Sequence, residues 1–260
     1  MDHREVGQYW NENAEVWTQL VRKGHDVARD LINTPAFFDL LPSISDKIGL
    51  DLGCGEGHNT RLLAQQGAHV TALDFSDVFI GHARSHEVTS PLGIRHLRAS
   101  SVQLPFPQNT FDFATAFMSL MEFPETGEAL AEVFRVLKPG GFLQFSITHP
   151  CFNTITRENM RDENGQYVSV QLGEYFAPTN GEIEEWMFSC APEEERRGLR
   201  KFRVPDFRST FSEWVNLLIT NGFQIQAIAE PCPSEEAIAQ HPSLQSGRIA
   251  PFFLHFRVGK

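Results

Sequence analysis

The chain has 260 residues, of which 41% are hydrophobic and 21% are charged, a balance typical of a soluble globular protein. Its net charge of −11 disfavours a protein that binds long nucleic acid, because such binding needs a basic surface. The four cysteines are widely spaced and form no CxxC motif, which predicts free thiols in a reducing cytoplasm and no metal site. No run approaches ~18 consecutive apolar residues, so no membrane span is predicted.

Two helices are predicted at the N-terminus, followed by alternating strands and helices. Val6, Tyr9, Trp10, Trp17 and Leu20 form a loose apolar face of the first helix, and a second helical pattern follows. The predicted strands are 48–53, 69–75, 94–99, 111–118, 142–149, 223–229 and 252–258. Strands that alternate with helices are typical of βαβ units and a parallel sheet covered on both faces. The C-terminal ending is predicted to add an antiparallel strand at the sheet edge.

A glycine-rich loop follows the first predicted strand. Gly53, Gly55 and Gly57 recur at every second position, directly before a predicted helix. Such a loop lets backbone N–H groups approach a ligand at the positive end of a helix dipole. Asp74 ends the second predicted strand roughly 20 residues later, where an acidic side chain can bind ribose hydroxyls. The loop and the carboxylate together predict an adenosine-containing cofactor at the carboxyl ends of the strands.

The segment 50–57, Leu-Asp-Leu-Gly-Cys-Gly-Glu-Gly, resembles the first motif of the class I S-adenosylmethionine-dependent methyltransferases. The resemblance covers about residues 47–148 and includes the block 104–107 with Phe111 and Asp112, and the helix and turn 132–141. In order and spacing these blocks are similar to the small-molecule methyltransferase domain called type 11. The resemblance implies methyl transfer from S-adenosylmethionine to a small organic acceptor, with S-adenosylhomocysteine as the product.

The resemblance also implies the fold: an α/β, Rossmann-like, doubly wound and mostly parallel seven-stranded sheet. Residues 1–46 are predicted to form an N-terminal helical cap, and 47–150 the cofactor-binding core. The strand and helix alternation lapses at 151–208, which predicts an inserted substrate cover with some structure of its own. Residues 209–260 are predicted to complete the same sheet.

For the cofactor, the resemblance implies that Asp51 helps to hold the methionine amino group through water and that Asp74 binds both ribose hydroxyls. Phe75 would pack near the adenine, and Met118 and Ser119 would lie beside the sulfonium. The other implied cofactor residues are Gly53, Cys54, Gly55, Gly57, Ser100, Ser101, Val102 and Tyr9. Ser100 departs from the family pattern, in which an aspartate is common there to accept a hydrogen bond from the adenine amine.

Two side chains at predicted strand mouths are candidates for a catalytic base. Glu122 follows the fourth predicted strand and His149 ends the fifth, and folds of this kind place ligands beside such loops. A general base helps when the acceptor is a hydroxyl or an ammonium group. For each residue the alternative is structural: a surface acid at a helix entry for Glu122, and a hydrogen-bonded histidine for His149.

The predicted cover also carries aromatic and basic residues. Its clustered cations are Arg196, Arg197, Arg200, Lys201 and Arg203. One of them is expected to pair with an anionic acceptor group, the alternative being a solvated, salt-bridged helix face.

Three other functions stay open at this stage. A nicotinamide-dependent oxidoreductase is disfavoured because a GxGxxG fingerprint that begins at Gly53 would need glycine at His58. A non-catalytic cofactor-binding module and an RNA methyltransferase also stay open, the latter opposed by the negative charge. The sequence leaves the acceptor, the methylated atom and the oligomeric state undetermined.

Overall fold

The computed structural model describes residues 1–260. Its strands are β1 (Ile48–Leu52), β2 (His69–Asp74), β3 (Arg95–Arg98), β4 (Phe111–Phe117), β5 (Leu137–Thr148), β6 (Thr156–Arg161), β7 (Tyr167–Gly173), β8 (Glu182–Trp186), β9 (Phe202–Asp206), β10 (Gln224–Ala229) and β11 (Phe253–Gly259). Its α-helices are α1 (His3–Val21), α2 (Thr34–Leu40), α3 (His58–Gln65), α4 (Asp77–Thr89), α5 (Thr126–Val136), α6 (Glu193–Arg196), α7 (Phe211–Thr220) and α8 (Glu235–Gln240). A π-helical turn (Arg29–Asn33) precedes α2, and 3-10 turns lie at Leu120–Glu122 and Pro242–Arg248.

Seven strands form the central sheet in the order β10-β11-β5-β4-β1-β2-β3. Strands β1 to β5 are parallel, whereas β11 runs antiparallel to both β5 and β10. The predicted doubly wound, mostly parallel sheet with an antiparallel C-terminal edge is therefore confirmed. Because β1 lies between β2 and β4, the strand order reverses there, and folds of this type bind ligands at that point.

One strand boundary differs from the prediction. β5 begins at Leu137 rather than at 142, because Phe111 already pairs with Leu137 before the register shifts. After the shift, Phe113 pairs with Phe142. The Lys-Pro-Gly-Gly turn at 138–141 therefore bulges out of a longer strand instead of preceding it.

The main core lies between the sheet and the helices α5 and α7. On α5, Leu130, Val133 and Val136 share one face because they are spaced three residues apart, and all three are fully buried. Trp214 and Leu218 of α7 join the same cluster. This rigid platform holds the loops at the carboxyl ends of the strands.

The segment 151–208 has secondary structure of its own, in two antiparallel pairs, β6 with β7 and β8 with β9. The second pair packs on α1 through aromatic rings. The Trp17 ring lies 5.0 Å from that of Phe188 and 4.9 Å from that of Phe202, between centroids. The N-terminal helix and the inserted segment thus pack together. No helix of the chain combines the length and the apolar character needed to cross a membrane.

Candidate functional site

A cavity of about 1040 Å³ lies where the parallel strands end. Its wall includes Gly53, Phe75, Ala99 and Met118, which follow β1, β2, β3 and β4, together with Thr148 at the end of β5. Side chains of α1 and of the segment 151–208 form other parts of the wall. The volume exceeds that of an ordinary small-molecule pocket, so the cavity has room for a cofactor and an acceptor together.

The glycine loop presents bare backbone to this cavity. Gly53, Gly55 and Gly57 have φ values of 63°, 55° and 90°, in the left-handed region that favours glycine. A Cβ on Gly53 would lie 2.5 Å from the Cβ of Ser119, whereas a Cβ on Gly55 would meet no atom within 4 Å. Because Gly55 borders the cavity, a side chain there would take up ligand space. Gly57 caps α3 and does not border the cavity.

Asp74 lies against the same loop. Its carboxylate accepts hydrogen bonds from the N–H of Gly55 at 2.9 Å and from the N–H of Ser76 at 2.8 Å. Burial raises the pKa of this carboxyl above its ordinary value, and the hydrogen bonds oppose that rise. The structure therefore brings together the two features that the sequence paired, and both border the cavity.

Asp51 is a buried residue whose hydrogen bonds connect β1 to two neighbouring elements. Its two oxygens accept hydrogen bonds from the hydroxyls of Thr60 at 2.6 Å and Thr115 at 2.7 Å, which joins β1 to α3 and β4. The residue is 2% exposed, and this burial raises the pKa of its carboxyl to about 6. Asp51 reaches the cavity wall, but its contact with a ligand amino group stays a prediction.

The residues that were predicted to lie beside the adenine also border the cavity. Ser100, Ser101 and Val102 border the cavity, as do Cys54 and Phe75. The Ser100 hydroxyl accepts the N–H of Val102 at 3.4 Å. Burial raises the pKa of the Cys54 thiol well above its ordinary value, so the thiol stays neutral.

The Phe75 ring contacts residues of β3 and α1. The guanidinium of Arg98 lies 5.3 Å from the ring centroid. On α1, a Cβ on Gly7 would lie 2.0 Å from a carbon of this ring, so only glycine lets α1 approach so closely. The position of Phe75 thus depends on the N-terminal helix.

Met118 and Ser119 form the cavity wall after β4. Met118 has φ 51°, which is uncommon for a residue other than glycine and is typical of functional sites. Its N–H donates to the carbonyl oxygen of Ser146 at 3.0 Å, and the Ser119 hydroxyl donates to the carbonyl oxygen of Leu52 at 2.8 Å. These bonds fix both residues against neighbouring strands.

A buried polar network behind Met118 was missed in the sequence. His255 contacts the side-chain oxygen of Asn33 through Nε2 at 2.7 Å, and the Asn33 amide donates to the Ser146 hydroxyl at 3.3 Å. Burial lowers the pKa of His255 to about 4, so the ring is neutral and donates from Nε2. The one available signal was the polar Asn33 directly after the apolar pair Leu31 and Ile32.

Tyr9, which the resemblance placed among the cofactor residues, lies against the inserted segment instead, so its contact with a cofactor stays a prediction. The Arg203 guanidinium lies 5.1 Å from the Tyr9 ring centroid, and Tyr9 does not border the cavity. Successive helical residues point about 100° apart, so a neighbouring position can face the cavity when Tyr9 does not. The α1 residues that border the cavity are His3, Val6, Gly7, Trp10 and Trp17.

The contacts of His149 match the structural alternative rather than a catalytic base. Its Nδ1 accepts the N–H of Cys151 at 3.2 Å, which leaves Nε2 to donate to Glu230 at 2.7 Å. His149 is 3% exposed and does not border the cavity, whereas the preceding Thr148 does. Side chains alternate along a strand, so His149 points to the other face.

Glu122, in contrast, borders the cavity, and its carboxyl makes no hydrogen bond within the chain. Burial raises its pKa to about 8, and the neighbouring charges of Asp206 and Glu184 add to the rise. A carboxyl with a pKa near physiological pH is suited to exchange a proton.

The five predicted acceptor-binding cations lie elsewhere, and none borders the cavity. Arg200 pairs with Glu12 at 3.1 Å, and Arg197 approaches Glu193 at 3.9 Å. The expectation of an anionic acceptor is therefore not supported. Nine carboxylates border the cavity, against two guanidinium groups, Arg29 and Arg208. Arg208 was missed because it stands apart from the conspicuous cluster in the sequence.

Comparison with known proteins agrees with this geometry. Residues 50–145 match a family model described as a methyltransferase domain. They form a class I S-adenosylmethionine-dependent methyltransferase domain. The matched range of this methyltransferase domain contains the glycine loop, Asp74, Ser100 to Val102, Met118 and Glu122, and it excludes α1 and the segment 151–208.

Individual relatives resemble the methyltransferase domain and parts around it. A solved S-adenosylmethionine-dependent methyltransferase from Mesorhizobium loti is 27% identical, with a TM-score of 0.70 over 87% of this chain and 96% of that chain. A demethylmenaquinone methyltransferase of Listeria monocytogenes is 35% identical over 143 residues, 53% of this chain and 59% of that protein. A ubiquinone biosynthesis O-methyltransferase of Pseudomonas fluorescens is 27% identical over 155 residues, 56% of this chain and 63% of that protein. The chain thus spans about three-fifths of the length of these two curated relatives.

Proposed function

We propose that this protein is a methyltransferase that moves a methyl group from S-adenosylmethionine to a small-molecule acceptor. The observation that carries the proposal is the bare Gly55 backbone beside the Asp74 carboxylate, at the wall of a cavity that the segment 151–208 also lines. The names of the curated relatives, which refer to demethylmenaquinone and to ubiquinone biosynthesis, support an acceptor of small size.

The residues present fit S-adenosylmethionine, because a Cβ at Gly55 would fill the cradle that the glycine leaves open. Asp74 would hold the ribose hydroxyls, and Ser100 to Val102 would border the adenine. Met118 and Ser119 would lie beside the sulfonium. When bound, this cofactor supplies an electrophilic methyl group on a good leaving group.

The chain's own part in the reaction is mainly positioning. The strand-end loops hold their residues through hydrogen bonds to backbone carbonyls, and α1 and the segment 151–208 form further parts of the cavity wall. Glu122 is the group placed to take a proton from an acceptor, because its carboxyl borders the cavity without a partner. Cytoplasmic location remains a prediction from the spacing of the cysteines, and so do the boundaries drawn at 46, 150 and 208.

The test is calorimetric titration of the protein with S-adenosylmethionine, S-adenosylhomocysteine and NAD. We expect the first two to bind and Asp74→Ala to weaken that binding by at least tenfold. Asp77→Ala is the matched control, because this acid is only three residues away but 69% exposed and outside the cavity. Binding of NAD alone would refute the proposal.

A further inference from the structure

Part of the cavity wall is strongly acidic. The loop after β4 and the segment 151–208 supply Glu122, Glu174, Glu184 and Asp206, and α7 adds Glu213. The cation on this part of the wall is Arg208, whose Nε lies 2.8 Å from Asp206 and whose Nη2 donates to Glu184. With Arg208 engaged by two carboxylates, Glu122 is left without a counter-charge.

Glu122 differs from its acidic neighbours in having no partner. Asp206 and Glu184 contact Arg208, Glu174 accepts the hydroxyl of Thr156, and Glu213 caps α7. The Glu122 carboxyl accepts no hydrogen bond, although the residue is half-buried, and it borders the cavity. The negative charges of Asp206 and Glu184 act on a carboxyl that has no partner in the chain, so a ligand that brings a positive charge there is favoured.

Aromatic rings also line this cavity. Tyr175, Phe176, Trp186 and Phe207 come from the segment 151–208, and Phe123 follows Glu122 directly. The Phe176 side chain is 84% exposed, so its ring has almost no protein cover. The face of an aromatic ring attracts a cation, and carboxylates combined with rings suit an organic cation.

The acidic wall is not arranged as a metal site. No three His, Cys, Asp or Glu side chains of the chain converge closely enough to ligate one metal ion. Carboxylates and aromatic rings on the wall of one cavity match a larger ligand that carries both charge and apolar surface.

We propose that this wall binds an acceptor that carries a positively charged nitrogen, with Glu122 as its ion-pair partner and the aromatic rings around its apolar part. The inference rests on the proposed function, since it names the acceptor class of the same cavity. A bound ammonium offsets the repulsion among Glu122, Glu184 and Asp206, whereas a carboxylate or phosphate adds to it.

The test compares matched ligands by calorimetry in the presence of saturating S-adenosylhomocysteine. The probes are two triplets, each with one ring system and three end groups: phenethylamine, 2-phenylethanol and 3-phenylpropanoate, then tryptamine, tryptophol and indole-3-propanoate. We expect the amine of at least one triplet to bind at least tenfold more tightly than its alcohol, and the carboxylate to bind most weakly. Glu122→Gln should remove about tenfold of the amine affinity and leave alcohol binding unchanged.

Glu193→Gln is the matched control, because this acid lies on α6 in the same segment, 85% exposed and outside the cavity. It should leave amine binding unchanged. If S-adenosylhomocysteine binds but no amine exceeds its alcohol, or if Glu122→Gln and Glu193→Gln have equal effects, the inference is overturned and the proposed function stands. If S-adenosylhomocysteine does not bind, the proposed function itself fails, and the inference fails with it.

Discussion

Alanine at Gly53 should destabilise the protein much more than alanine at Gly55, although the two glycines are only two residues apart. Both have positive φ, so each substitution costs about 1–2 kcal/mol of backbone strain. Alanine also restricts the unfolded chain, which offsets about 0.4–1 kcal/mol of that cost. For Gly55→Ala, whose Cβ meets no atom within 4 Å, the net loss of unfolding free energy is then about 1 kcal/mol.

Gly53→Ala carries a further cost, because its Cβ would lie 2.5 Å from the Cβ of Ser119, which is itself held to Leu52. Overpacking of this kind costs about 1–3 kcal/mol, so the total loss is about 2–4 kcal/mol. In a chain of this size that corresponds to a fall in Tm of roughly 4–16 °C, against about 2–4 °C for Gly55→Ala.

The effect on ligand affinity is best measured in Gly55→Ala, because this variant loses less stability than Gly53→Ala. Gly55→Ala keeps the fold but places a methyl group in the cavity, so we expect at least a tenfold loss of S-adenosylhomocysteine affinity by calorimetry. Urea unfolding measures the stability of both variants, and Gly81→Ala on α4, which also has open space but no positive φ, is the control that should not lose stability. Equal destabilisation by Gly53→Ala and Gly55→Ala, or unchanged affinity in folded Gly55→Ala, would refute the reasoning.

Three further outcomes follow from the buried polar groups. Glu122 has a pKa of about 8 in the folded protein, against an ordinary value of 4.5. Because the carboxyl loses its proton at lower pH in the unfolded chain, the free energy of unfolding falls as the pH rises between these two values. Glu122→Gln should therefore stabilise the protein more at about pH 9 than at about pH 4 in urea unfolding, and a gain independent of pH would contradict this. His149→Gln should leave kcat and S-adenosylhomocysteine affinity within about twofold and cost about 1 kcal/mol of stability, since the ring joins Cys151 to Glu230 and packs on Phe152 outside the cavity. A hundredfold fall in kcat would instead indicate a catalytic base. Asn33→Ala should lower the free energy of unfolding by about 2–3 kcal/mol, because the His255 ring is left unpaired. The double variant Asn33→Leu with His255→Phe should lose less stability than Asn33→Ala alone. A loss in the double variant equal to the sum of the losses in its two single variants would argue against the network.

Much of the framework is encoded in local patterns. The seven strands and the glycine-rich turn after β1 appear in the structure close to where the sequence places them. These features depend on neighbouring residues along the chain, through strand alternation, helix periodicity and the φ values that only glycine adopts easily. The approach of Asp74 to Gly55 could be predicted for the same reason, because parallel strands bring their carboxyl ends to one edge.

The differences between prediction and structure concern the directions of side chains and the residues that they contact. Tyr9 and His149 each lie one residue from a position that borders the cavity, and a step of one residue turns a side chain away on a helix and reverses it on a strand. The hydrogen bond between Asn33 and His255 joins residues 222 positions apart, so no local pattern contains it.

The sequence by itself determined the sheet, the cofactor loop and the carboxylate beside it, because each follows from short-range geometry repeated along the chain. Only the tertiary structure decided which charges face the cavity. The conspicuous arginines of the segment 151–208 lie outside the cavity, and the acidic wall is assembled from Glu122, Glu184 and Asp206, which come from distant parts of the chain. Burial and the repulsion of like charges depend on distance in space rather than along the sequence, and they give Glu122 its raised pKa.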